Sequence, residues 1–353
     1  MLIILLITCA LGGALWLFLS SRPFGAAPAG ARLERIKKSP NYSNGQFHNA
    51  LPTPMMTGGA RAIIKGLVNF AFAGSKRLRP AAPLPAEKRD LLRLPPGQNA
   101  LVWFGHSSYF LQVEGKRILV DPVLSGSAGP YPFATKAFEG TNIYTAADIP
   151  EIDYLFITHD HWDHLDYATV AQLRPKVKKV VCGLGVGAHL ELWGYDKNAI
   201  IEGDWGDKLK LDGGFTAAVL PARHFSGRGL LRDRTLWASF ALTTPGGYKV
   251  FMGGDGGYGP HFKEIGRQFG PFNLAMLEDG QYDVSWKYVH MMPEETLLAA
   301  GDLGAGRVLP IHNSRFCISN HDWDAPLKAI TALAGKYKVR LLMPVIGSVV
   351  DGL

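Results

Sequence analysis

Residues 159–164 read His159-Asp160-His161-Trp162-Asp163-His164, an H-x-H-x-D-H run placed directly after an apolar stretch. Three imidazoles and a nearby carboxylate within six residues suit zinc-like ions, because neutral imidazole nitrogen and carboxylate oxygen both ligate Zn²⁺ well. One short loop of this kind can serve two ions. Three distant residues extend the pattern: His224 follows Leu220-Pro221-Ala222-Arg223, Asp255 follows Phe251-Met252-Gly253-Gly254, and His312 follows Val308-Leu309-Pro310-Ile311. A lone histidine past a strand is ordinarily a surface or hydrogen-bonded group, but with the hexapeptide these three complete two coordination shells. The glycines at 253, 254, 256 and 257 permit the close backbone approach that a carboxylate bridging two ions needs. Two ions held mainly by neutral imidazoles keep net positive charge, which lowers the pKa of a shared water from 15.7 toward ~7. A bridging hydroxide held there is in line with an electrophilic phosphorus or carbonyl, and the ions neutralise the oxygen charge that develops in the transition state. The implied chemistry is metal-activated hydrolysis.

The elements that must position these residues are short β-type runs broken by turns. Ala100–Phe104, Tyr109–Val113 and Arg117–Val120 are expected as consecutive strands with a hairpin turn at Gly115, and Tyr154–Thr158 as a fourth strand ending at the motif. Asp166 is placed to cap a helix from Tyr167 toward Leu173, so the ligand loop sits between a strand end and a helix start. Further strands are expected at Phe215–Leu220, Leu236–Thr243, Lys249–Met252, Leu274–Leu277, Arg307–Pro310 and Arg340–Met343. Strands interleaved with a few helices predict sheets covered by helices in layers. There is no short-period repeat, only two similar halves.

A chain of 353 residues accommodates one large domain with extra segments, or two small ones. Its composition, 47% hydrophobic and 19% charged, excludes a disordered chain. The three cysteines Cys9, Cys182 and Cys317 form neither a disulfide framework nor a CxxC site and are expected as small apolar residues. A net charge of +7 favours anionic surfaces such as phospholipid headgroups. Nucleic acid is not expected as a partner, since no basic patch interleaved with aromatics is present.

Met1–Ser20 carries no charged side chain and is about as long as a helix crossing ~30 Å of hydrocarbon. It is expected as a single-pass membrane anchor. A cleaved signal peptide would carry basic residues ahead of its apolar core; none precede this one, although Ala27-Pro28-Ala29 is an imperfect cleavage pattern. Arg22, Arg32, Arg35, Lys37 and Lys38 follow the segment, which would place the catalytic domain on the cytoplasmic side. Residues 21–95 are expected as an N-terminal extension. Within it, Ala60–Gly74 is apolar and followed by Lys76, Arg77 and Arg79, either a helix packed on the core or one resting in the membrane interface. Residues 96–353 form the expected catalytic domain.

Over roughly residues 96–345 the chain resembles the metallo-β-lactamase superfamily. Trp103-Phe104-Gly105-His106-Ser107-Ser108, Val120-Asp121-Pro122-Val123 and Phe47-His48-Asn49 resemble its branch of N-acyl-phosphatidylethanolamine-hydrolysing phospholipases D; the same strand motifs also resemble the ascorbate-6-phosphate lactonase branch. The resemblance implies an αββα four-layer sandwich, an α/β fold, with a dinuclear site at one sheet edge. It implies that His159, His161 and His224 hold a first Zn²⁺, that Asp163, His164 and His312 hold a second, and that Asp255 bridges both. Fe²⁺ or Mn²⁺ would suit the same ligands. Asp160 is not a ligand in this scheme and is left a supporting or proton-transfer role. His290, in Tyr288-Val289-His290-Met291-Met292-Pro293, resembles a pocket histidine of the phospholipase branch, a phosphate contact or proton donor, or else marks a helix start. His106 is either a structural histidine or a residue near the metals, and Trp162 and Trp286 either line a pocket or belong to the core. The expected activity is a phospholipase D-type phosphodiesterase acting on N-acyl-phosphatidylethanolamine or a related membrane phospholipid. The alternatives are a zinc hydrolase of a soluble lactone or sugar phosphate, and a non-catalytic membrane scaffold.

Overall fold

The computed structural model describes residues 1–57 and 77–353; the expected segment Ala60–Gly74 therefore lies outside the described residues. Strands are numbered in chain order. A two-stranded ribbon, β1 (Tyr42–Ser43) and β2 (Gln46–Phe47), precedes the first half of the domain. That half contains β3 (Ala100–Trp103), β4 (Tyr109–Val113), β5 (Lys116–Val120), β6 (Ile152–Ile157), β7 (Val177–Gly183) and β8 (Ile200–Gly203). The second half contains β9 (Lys208–Lys210), β10 (Thr216–Leu220), β11 (Ser239–Thr243), β12 (Lys249–Met252), β13 (Leu274–Glu278) and β14 (Val308–Ile311), and β15 (Val349–Asp351) returns to the first sheet.

The strand order is β15-β3-β4-β5-β6-β7-β8 in one sheet and β14-β13-β12-β11-β10-β9 in the other. In each sheet three antiparallel pairings give way to parallel ones, at β5–β6 and at β12–β13. Two-residue periodicity decides which side chains face inward. Leu101 and Trp103 of β3 join Val219, Phe240, Leu242, Val250 and Met276 in the core between the sheets. Their neighbours Val102 and Phe104 pack outward with Leu165, Val170 and Leu190, under the helices Tyr167–Leu173 and Gly187–Leu192. On the opposite outer face, Ala218, Phe251 and Leu277 pack with Phe262, Ile265, Ala299 and Leu303, covered by helices His261–Phe269 and Pro293–Asp302. The result is helix, sheet, sheet, helix. Glu114 and Gly115 both have positive φ, the two-residue turn that matches strand twist in a hairpin.

Two strand expectations are corrected. Arg340–Met343 forms no strand, only an isolated bridge from Leu341 to Val308, and the strand expected from Leu236 begins at Ser239. The membrane expectation is corrected too. Among the described residues no helix is long and apolar enough to cross a membrane, so the single-pass anchor over Met1–Ser20, and the cytoplasmic placement argued from it, do not stand. The helix there runs Leu2–Leu19, 18 residues, which at 1.5 Å each reaches about 27 Å, short of ~30 Å of hydrocarbon. Its last turn is engaged by the domain: the Phe18 ring lies 5.1 Å from Phe24 and 5.3 Å from Tyr131. Counting uncharged residues overstated the usable span.

Candidate metal centre

Every residue singled out around the motif comes from the same end of the two sheets. His159–His164 follow β6, His224 follows β10, Asp255 follows β12 and His312 follows β14. Parallel strands, and antiparallel ones two apart, run in one direction, so their C-terminal ends share an edge. The structure gathers ligand-type atoms into two clusters: His159, His161, His224 and Asp255 in one, and His106, Asp163, His164 and His312 in the other.

In the first cluster His159 Nε2 is 2.9 Å and His224 Nε2 3.2 Å from His161 Nδ1, and both Nε2 atoms stand 3.8 Å from Asp255 Oδ2. A tetrahedral ion binding nitrogen at about 2.0–2.1 Å holds its donors about 3.3 Å apart, so these spacings fit one ion. In the second, Asp163 Oδ2 lies 3.1 Å from His312 Nε2 and 3.5 Å from His164 Nε2. Asp255 reaches this cluster as well, with Oδ2 3.1 Å from His312 Nε2 and Oδ1 3.1 Å from His164 Nε2. That last pair is informative: both atoms are buried and neither makes a hydrogen bond. Two buried polar atoms face each other without bonding, which is costly for a protein and natural for two ligands of one cation.

The imidazoles are held from behind. His164 Nδ1 is 2.8 Å from Asp121 Oδ2, His224 Nδ1 2.9 Å from the Val289 carbonyl, His312 Nδ1 3.3 Å from the Gly280 carbonyl and His159 Nδ1 3.1 Å from Thr158 Oγ1. Each such contact fixes a tautomer and aims Nε2 into the cluster. Asp121 is buried and accepts from the Thr158 amide and hydroxyl, a supporting role that Val120-Asp121-Pro122-Val123 does not by itself disclose. Asp121, His106 and His312 all have positive φ, a strained backbone that concentrates at functional sites. His106 is fully buried with Nε2 2.9 Å from Asp163 Oδ2, so the structure brings it to the second cluster.

Electrostatics differ between the clusters. Burial, with neighbouring imidazoles adding to it, holds His159 and His224 well below the ordinary histidine range, and burial lowers His161 despite the nearby Asp163. Burial also opposes charge on His312, but Asp255 and Asp163 overcome it and push the group up to about 10; Asp255 and Asp163 likewise raise His164. Asp163 and Asp255, although buried, are held well below the usual carboxylate range by His164 above all. In the first cluster, imidazoles kept neutral beside an ionised carboxylate are a donor set for divalent cations; in the second, His164 and His312 would exchange a proton for the ion.

Of the roles open to Asp160, the geometry fits support rather than proton transfer. Its carboxylate accepts from the Gly227 amide at 2.7 Å and Thr235 Oγ1 at 2.8 Å and lies 3.1 Å from His189 Nε2. His290 lies beside the clusters, its ring stacked parallel on His312 at 5.3 Å and edge-on to His224 at 5.1 Å. Trp162 packs edge-on to Phe24 at 5.1 Å, with the Arg228 guanidinium 4.0 Å over its ring, while Trp286 donates to the Gln281 carbonyl. A cavity of about 430 Å³ opens beside His224, walled by Phe47, Leu51, Met55 and Phe225 and by the polar His48, Asn49 and Asp233.

Fold and site together define a metal-dependent hydrolase of the two-sheet sandwich type. Residues 116–313 match the Beta-lactamase superfamily domain, and the chain belongs to that superfamily. An uncharacterized protein of Mycobacterium tuberculosis is 36% identical over 98% of this chain and 94% of its own length. A Saccharomyces cerevisiae protein named mitochondrial N-acyl-phosphatidylethanolamine-hydrolyzing phospholipase D is 31% identical over 69% of this chain and 54% of its own length, so this chain spans about half of that relative. Among solved structures, the metallo hydrolase Igni18 of Ignicoccus hospitalis superposes with a TM-score of 0.56 at 23% identity, covering 72% of this chain and 99% of that one; this likeness is one of fold.

Proposed function

We propose that the protein is a phosphodiesterase of phospholipase D type, cleaving the bond between phosphate and head group in an N-acylated phosphatidylethanolamine or related phospholipid. The observation that carries the hydrolytic part is the pair of donor clusters meeting at Asp255. In this reading His159, His161 and His224 hold one ion, Asp163, His164 and His312 the other, and Asp255 both, with zinc as the favoured metal. Two such ions supply, when bound, a water acidic enough to ionise near neutral pH and positive charge at the reacting oxygens. The chain's own side chains do the rest. Asp121, Thr158 and the carbonyls of Val289 and Gly280 keep the imidazoles aimed, and His290, packed against the rings of His224 and His312, is the side chain assigned to the phosphate or leaving group.

The lipid part draws on two supports. The cavity beside His224 sets Phe47, Leu51, Met55 and Phe225 against the polar His48, Asn49, Thr53 and Asp233, a mixed lining suited to the junction of head group and chain in an amphipathic substrate, and the yeast relative bears the name of an enzyme of this substrate. The test is to offer the zinc-loaded full chain N-acyl-phosphatidylethanolamine in mixed micelles alongside soluble phosphodiesters, lactones and sugar phosphates. Release of phosphatidic acid and an N-acylethanolamine, abolished by chelation, is expected. Turnover of the lactones or sugar phosphates alone would overturn the proposal.

A further inference from the structure

Glu278 ends β13 in the interior of the domain and has no accessible surface. Its carboxylate forms a third group of ligand-type atoms with Asp255, His290 and His312, all within 4.8 Å of one another. Burying a carboxylate costs several kcal/mol of lost hydration unless partners compensate, and Asp255 beside it adds like-charge repulsion. An apolar residue would close this strand as well as its neighbours Leu274–Leu277 do, so the acid needs a reason.

Its partners supply one. Oε2 accepts from the Gly256 amide at 3.1 Å, and Oε1 accepts from the Met291 amide. Oε2 also lies 3.2 Å from His290 Nδ1. Burial, with Asp255 beside it, raises the Glu278 carboxyl above its ordinary range, but both of its oxygens already accept from backbone amides, so at this contact Nδ1–H is the donor. The segment around His290 is pinned on both sides: the Met291 amide by Glu278, and the Val289 carbonyl by His224. The Thr296 hydroxyl donates to the Glu278 carbonyl at 2.8 Å, tying the strand end to helix Pro293–Asp302. Gly257 makes the approach possible, since a Cβ there would lie 2.2 Å from the Tyr288 carbonyl oxygen. With Nδ1 committed, only Nε2 of His290 remains for the reaction, on a side chain that is 15% exposed while Glu278 is sealed.

We propose that Glu278 is a positioning residue that commits His290 Nδ1–H as a hydrogen-bond donor and so leaves Nε2 as the acceptor that carries a proton from the attacking water to the leaving oxygen of a phosphodiester bound at the paired clusters. The inference rests on the phosphodiesterase reading above and adds to it the residue that orients the proton donor. In the step, Nε2 takes up the proton that the attacking water releases as its oxygen bonds to phosphorus, and the bond from phosphorus to the head-group oxygen breaks with its electron pair on that oxygen. The Nε2 proton passes to it, giving the free alcohol. Giving that proton up returns His290 to its starting tautomer, and the balance is one phosphodiester and one water to one phosphomonoester and one alcohol. Glu278 stays hydrogen-bonded to Nδ1–H throughout.

The experiment compares the zinc-loaded full chain with Glu278→Gln and His290→Ala on two substrates. One is p-nitrophenyl phosphocholine, whose p-nitrophenolate departs without a proton; the other is an N-acylated lysophosphatidylethanolamine in micelles, whose aliphatic alkoxide needs one. A positioned acid contributes roughly 100-fold or more only where the leaving group needs it. Both variants should therefore lose kcat on the lipid by about 10- to 100-fold, the range for loss of a residue that orients another, with less than about 3-fold loss on the aryl substrate. KM and two zinc ions per chain should be retained. Independently of turnover, ¹⁵N-histidine spectra of the metal-free protein should show the His290 proton on Nδ1 in the wild type and displaced from it in Glu278→Gln. Equal losses on both substrates, loss of zinc, or an unchanged His290 tautomer would overturn the role of Glu278 while leaving the phosphodiesterase reading intact. If Glu278→Gln does not fold, His290→Ala still decides, because a loss blind to the leaving group overturns the proposal. A wild-type protein that turns over neither phosphodiester overturns the phosphodiesterase reading and this inference with it.

Discussion

At the scale of single residues, Asp255 is the side chain shared by both clusters, with contacts of 3.1 Å into one and 3.8 Å into the other. Asp255→Ala is expected to abolish turnover and to leave fewer than two ions per chain, measured by elemental analysis; His161→Ala should abolish turnover with loss chiefly from the first cluster. Full activity in either variant sinks the ligand assignment. Asp121→Asn keeps the volume but weakens the hold on His164 Nδ1, and should lower metal affinity by about 10- to 100-fold, read by competition with a chromophoric chelator. The protonation pattern gives a further expectation. His159, His161 and His224 lie below the ordinary value of 6.5, so at neutral pH the first cluster takes its ion without displacing protons. His312 holds a proton up to about 10 in the metal-free protein, so an ion entering the second cluster must displace it. Affinity for the second equivalent should rise with pH from about 6.5 toward 10, with proton release that calorimetry in buffers of different ionisation heat detects. A pH-independent second equivalent contradicts this.

At the scale of elements, the extension at residues 21–57 is structurally joined to the metal loop. The Ala26 amide donates to His189 Nδ1 at 3.0 Å, and His189 in turn meets Asp160. Arg228 donates to the carbonyls of Pro23, Asp160 and Leu165. Gly25 has φ +76°, and a Cβ there would stand 2.0 Å from His189 Nδ1. Gly25→Ala is therefore expected to destabilise the fold by about 1–3 kcal/mol without removing ligands; a thermal melt unchanged from wild type would contradict the join. The strand ends show what a sequence can disclose. His159, His161, Asp163, His164, His224, Asp255 and His312 were visible because each follows an apolar run, and the same signal was present for Asp121 after Val120 and for Glu278 after Leu277. For those two the signal is insufficient, because a carboxylate alone does not show whether it meets a metal, an imidazole or solvent; the partner lies 43 residues away for Asp121 and 12 for Glu278. His106 was ambiguous for the same reason, its neighbours Asp163 and His312 being supplied by the fold. Arg340–Met343 has strand-like residues, but its neighbour β14 offers it a single bridge, so composition overstated it.

At the scale of the whole molecule, the two sheets repeat one plan, antiparallel strands leading into parallel ones, and each contributes to both clusters. The first half supplies His159 and His161 to one and His106, Asp163 and His164 to the other; the second half supplies His224 and Asp255 to one and His312 to the other. Chelation of the zinc-loaded protein should lower its melting temperature, since an ion that binds only the folded state stabilises it by mass action; a melt indifferent to chelator would mean that the clusters hold no structural load. Each ion would then be a rivet through the seam between the halves. Its removal should loosen that seam before it melts either sheet, so hydrogen exchange in metal-free protein should quicken first where the halves are tied across the seam, at the His312 amide that donates to the His106 carbonyl and the His106 amide that donates to Asn313, while the central strands β5 and β12 stay protected.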